Sequence, residues 1–195
     1  MSGGGPERRR RLAILLALAI GAIIIAVVLG MVLGGGSSAS ANAGDGIAGC
    51  SLKTYPSQGR NHVTSLPKGF SYNSFPPSSG PHYPIPLIFN LYDQPLQQMH
   101  LVHNLEHGAI AVQYGNKVPQ AVVTQLTNWY NGDTWGLVVA PLPVLGDKIA
   151  LTAWTHVLTC PGFSEQAFDQ FKNAYRDKGP ESPVLPKSRL NQGSN

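Results

Sequence analysis

Gly108-Ala109-Ile110-Ala111-Val112-Gln113-Tyr114 alternates along an extended chain and favours a β-strand. The period then changes. From Val118 to Asn131 the apolar positions 118, 121, 122, 126, 129 and 130 follow helical spacing, with Pro119 at the start and Gly132 at the end. Leu137-Val138-Val139-Ala140 and the stretch from Ile149 to Thr155 read as two more strands, joined across Gly146-Asp147. Ser164 reads as the N-cap of a helix running to about Lys178, stopped by Gly179-Pro180. The order βαββα predicts an α+β domain with helices packed on a mostly antiparallel sheet. A thioredoxin-like layout also ends in ββα, but its dithiol motif is missing here.

Before this ordered half, Pro76, Pro77, Pro81, Pro84 and Pro86 make the first third of the domain irregular. Residues 34–49, rich in Gly, Ser and Ala, read as a flexible linker, so the folded domain is expected over residues 50–178 and a disordered tail over 179–195. Leu12 to Leu33 carries no charge and, as a helix, spans roughly 33 Å, enough to cross a bilayer core of about 30 Å. Arg8, Arg9, Arg10 and Arg11 precede it and no basic residue closely follows. The basic segment 1–11 is therefore expected in the cytoplasm, and the domain outside it as a single-pass cell-membrane protein. Two other readings of this end are a signal peptide cleaved after Ala39-Ser40-Ala41 and a lipobox at Ile47-Ala48-Gly49-Cys50.

The formal charge of +4 belongs to the arginine cluster. From residue 37 onward ten Lys/Arg face nine Asp/Glu, too small an excess for a nucleic-acid footprint. The two cysteines, Cys50 and Cys160, are expected to form a disulfide in an oxidising compartment. A redox pair or thiolate metal ligands are the alternatives, and no Cys-x-x-Cys spacing supports either.

Six histidines in a domain with few charges locate the chemistry. In Met99-His100-Leu101-Val102-His103-Asn104-Leu105-Glu106-His107-Gly108, His103 and His107 share one face in either a helix or a strand. Two imidazoles on one face supply half of a tetrahedral metal site. His82 and His62 can approach from the irregular loops, and Met99 offers a soft donor suited to copper. His103-x-x-Glu106-His107 also fits the inverted zinc-peptidase pattern, which needs a sustained helix around it. The opposing reading is a buried polar network of His and Glu that holds a Pro-rich surface together without a ligand. Trp154 and His156, on an expected strand, and Tyr72, Tyr83, Tyr92 and Tyr114 read as packing residues.

Four blocks, Gly59-Arg60-Asn61-His62-Val63, Pro76-Pro77-Ser78-Ser79-Gly80-Pro81-His82-Tyr83, Val102-His103-Asn104-Leu105-Glu106-His107-Gly108 and Ala153-Trp154, occur in the order of a known bacterial family. Over about residues 50 to 178 the chain resembles the domain of unknown function 3105. The resemblance implies one N-terminal transmembrane helix ahead of the domain. It implies no catalytic residue. It singles out His62, His82, His103, Glu106 and His107 as candidates for one shared site and leaves His100 outside. Asn61 and Leu91 depart from the family pattern without touching a candidate ligand. The expected functions are a membrane-anchored module holding zinc or copper, a ligand-free subunit of a cell-envelope complex, or a zinc hydrolase.

Overall fold

The computed structural model describes residues 49–183. The expected transmembrane segment, most of the linker and residues 184–195 lie outside that range; among the described residues no helix is long and apolar enough to cross a membrane. Five strands form one sheet: β1 (Ser51–Thr54), β2 (Ile110–Tyr114), β3 (Leu137–Pro141), β4 (Ile149–Ala153) and β5 (His156–Cys160), in the order β1-β5-β4-β2-β3. Three helices pack on it: α1 (Gln98–Glu106), α2 (Gln120–Gly132) and α3 (Glu165–Tyr175). The domain is α+β with a mostly antiparallel sheet, since only β2 and β3 run parallel.

That parallel pair explains why β2 and β3 are nearly continuous apolar runs, as strands covered on both faces must be. On one face Ile110, Val112 and Val139 meet Leu126 and Tyr130 of α2 and Phe168 and Phe171 of α3. On the other, Ala111 and Val138 meet Leu101 and Leu105 of α1. The Cβ alternation of the strands thus separates two apolar clusters, and α1, which carries the histidine motif, stands alone among the helices in the second.

The helices follow their sequence signals. Pro119 is the N-cap of α2, and Ser164 caps α3 by accepting the Ala167 N–H at 3.4 Å. The run from Ile149 to Thr155, expected as one strand, ends as β4 at Ala153, and the strand β5 that follows was not anticipated. Thr155 adopts φ +64° and donates its N–H to Ser78 O at 2.9 Å, which turns the chain at Trp154-Thr155 and lets His156 begin β5. Strand β1 was not anticipated. It is short and half-exposed, and it is held by pairing with β5, alongside a disulfide between Cys50 and Cys160. Both cysteines of the chain are used in that bond.

The irregular segment between β1 and α1 is fastened by side chains in place of a ladder. The Asn104 amide accepts the Leu87 N–H and donates to the Leu87 carbonyl at 2.9 and 2.8 Å. Tyr72 Oη donates to Pro81 O at 2.6 Å. Residues 59–63 run beside 80–82 through Gly80 N–H to Gly59 O, His82 N–H to Asn61 O and Val63 N–H to His82 O. This short bridge sets His62 next to His82.

Candidate metal centre

The segment whose period was ambiguous is helical, and Glu106 is its last residue, with His107 as C-cap and Gly108 just beyond at φ +84°. His103 and Glu106 therefore occupy neighbouring positions at the end of α1, with His107 one turn beyond His103. The peptidase pattern is thus present at a helix end, without the sustained helix it requires.

All five candidates converge. His82 is fully buried, Glu106 likewise, and His103 is 4% exposed. His62 stacks on His103 with ring centroids 4.8 Å apart and planes 12° apart, and meets His82 edge-on at 4.9 Å. His62, His82 and His103 place donor atoms within 4.8 Å of one another, and so do His103, Glu106 and His107.

The hydrogen bonds assign the protons. A carbonyl oxygen only accepts, so a ring nitrogen facing one must carry hydrogen. Nδ1 of His82 donates to Gly80 O at 2.8 Å, Nδ1 of His103 to Tyr83 O at 2.7 Å, and Nδ1 of His107 to Glu181 O at 3.2 Å. In neutral His103 and His107 the Nε2 is then a lone pair, whereas between His82 Nε2 and the facing Glu106 oxygen a hydrogen must lie in the metal-free domain. The lone pairs of His103 and His107 face each other at 3.0 Å, an arrangement that calls for a shared proton or a cation. His82 Nε2 lies 3.0 Å from Glu106 Oε2 and His62 Nε2 lies 3.5 Å from the same oxygen, while buried Glu106 Oε1 has no hydrogen-bond partner. Imidazoles anchored through Nδ1–H to carbonyls, with Nε2 turned inward beside an underused carboxylate oxygen, have the outer shell that metal-ligating histidines carry.

Burial pushes the His103 pKa down to about 4; the Tyr83 carbonyl opposes this, and the neighbouring His107, His82 and His62 add to it. Burial works to raise the Glu106 pKa, but the hydrogen bond and charge of His82, with His103 and His62, bring it below the ordinary carboxylate value. The signs give a pH window. Because His103 binds its proton less readily folded than unfolded, the metal-free domain loses stability as pH falls from about 6.5 toward 4. Glu106 adds a further loss below its ordinary range. Thermal melts between pH 7 and 4 should show this decline, and His103→Gln should flatten its upper part.

The other histidines stand apart. His100 hydrogen-bonds Ile85 O at 2.5 Å and packs on Tyr83; His156 stacks on Tyr175. Met99 is buried one turn before His103. Trp154, expected as a packing residue, presents an edge-on contact to His82 at 6.4 Å. Residues 179–183, assigned to a tail by sequence, cross the end of α1: Glu181 N–H donates to Glu106 O at 2.9 Å, and Arg60 pairs with the Glu181 carboxylate at 3.4 Å. A side chain on Gly179 would put Cβ 2.2 Å from Glu106 O, so only glycine permits this crossing. Glu181 had no sequence signal, because its contribution to His107 is a backbone carbonyl.

Fold and cluster together define a histidine-centred α+β domain. The family model for proteins of unknown function DUF3105 matches residues 62–188, and the chain belongs to that family. All five cluster residues lie inside the matched segment. Comparison with curated proteins and with solved structures finds no match.

Proposed function

We propose that the domain binds one divalent transition-metal ion through Nε2 of His82, His103 and His107, with Glu106 and His62 completing the donor set. The observation that carries this reading is the set of three Nδ1–H bonds to backbone carbonyls, which leaves Nε2 as the ring nitrogen each can offer, in two overlapping donor groups that share His103. Imidazole and carboxylate donors suit zinc and copper(II). The module is carried on the cell membrane by the segment from Leu12 to Leu33, with the domain outside the cytoplasm, where it serves a partner in the cell envelope.

Untagged full-length chain dialysed after exposure to zinc or copper(II) should retain about one equivalent, as a single site of this kind predicts. Retention of none would favour the second reading, a ligand-free interaction domain. The buried His82–Glu106 contact at 3.0 Å favours that alternative, since a hydrogen bond between loop and helix can hold them together without a metal. For the location, a reporter that works only outside the cytoplasm should be active when fused after residue 195. Recovery of a chain beginning at Asn42 would show cleavage in place of anchoring.

A further inference from the structure

The members of the cluster are not held alike. His82 and His103 are buried with Nδ1 tied to a backbone carbonyl, and half-buried His107 has the same kind of tie. His62 differs on both counts. Its side chain is 46% exposed, and its ring contacts are the 3.5 Å approach of Nε2 to Glu106 and the packing on His103 and His82. It rides on the loop bridge of residues 59–63, whereas His103 and Glu106 belong to α1.

We infer that His62 is the exchangeable ligand of the centre, swinging aside to let a divalent zinc or copper ion in and out while His82, His103 and His107 stay fixed. The inference rests on the metal-binding reading above and specifies how that site is loaded. Withdrawing His82 or His103 would strand a carbonyl acceptor in the interior, and withdrawing His82 would also strip a buried carboxylate of its partner. Rotating His62 outward strands nothing: its polar atoms pass into water, and exposed side chains change rotamer on the picosecond to nanosecond scale. A second feature agrees. With no carbonyl fixing its tautomer, His62 can present Nε2 as a lone pair to the ion or as a donor to Glu106 Oε2, so it can move between bound and unbound states without repacking the interior.

The test uses full-length chain loaded with copper(II), dialysed, then challenged with EDTA. His62→Ala should keep about one equivalent through dialysis yet release it to EDTA on the order of tenfold faster than the native chain, and added imidazole should slow the release and change the copper spectrum. His103→Ala should keep none. If His62→Ala keeps none either, His62 is a fixed ligand and the inference is overturned. The inference also fails if that variant releases copper at the native rate with no response to imidazole. Failure of the native chain to hold copper or zinc would overturn the metal-binding reading itself, and the inference with it.

Discussion

His103→Ala is expected to abolish metal retention by the full-length chain, with affinity falling by more than the 10- to 100-fold loss, roughly, that follows loss of an outer-shell partner. The reason is position. His103 is the ring that stacks on His62, meets His82 at 5.1 Å between centroids and sets Nε2 opposite His107 at 3.0 Å, so it is shared by both groups of converging donors. Its removal also leaves Tyr83 O without the ring donor and opens space beside Glu106, for a loss of about 1–3 kcal/mol in metal-free stability. His103→Gln separates the two effects: the amide can restore a hydrogen bond to Tyr83 O, but it is a poor ligand. If both variants retain metal at the native level, His103 is not a ligand.

Removing the Cys50–Cys160 disulfide, whose two residues are buried in the larger core cluster, is expected to cost several kcal/mol of stability, on the order of what removal of a native disulfide costs a small domain. The bond closes a loop with a sequence separation of 110, for which the chain-entropy relation gives about 4–5 kcal/mol as an upper figure. It also secures β1, the edge strand with the least burial, because Cys50 and Cys160 continue the β1–β5 register one residue beyond Ser51 and Thr159. Reduction should lower the melting temperature by on the order of 10 °C. A Cys50→Ala, Cys160→Ala chain should melt at the same lowered temperature with or without reductant. Alkylation of both thiols in native, unreduced protein would show that the bond is not formed.

Much of the second half was legible because its signals are local. The 3.6-residue spacing of α2, Pro119, the Ser164 cap and the apolar, β-favouring run of β2 each require only neighbours in the chain. What was hidden depended on partners distant in sequence. Ser51-Leu52-Lys53-Thr54 has a single apolar residue and becomes a strand through β5 and the disulfide. The turn at Trp154-Thr155 lacks Gly, Asn or Pro and is stabilised by Ser78, far upstream. The direction of β3 relative to β2 could not be read from two apolar runs.

For the site, the His103/His107 spacing and the motif blocks were enough to gather five residues, yet the segment's helical state was ambiguous because a four-residue separation suits both periods. Knowing that state places Glu106 beside the histidines. The groups that orient the rings, the carbonyls of Gly80, Tyr83 and Glu181, carry no side-chain signature at all.

X-ray absorption at the zinc edge, on untagged full-length chain loaded with one equivalent of zinc, addresses the cluster most directly. The account predicts nitrogen and oxygen donors at about 2.0–2.1 Å, with the outer-shell scattering of at least three imidazole rings and no sulfur. A zinc ion surrounded by oxygen alone, or no zinc retained after dialysis, would contradict it.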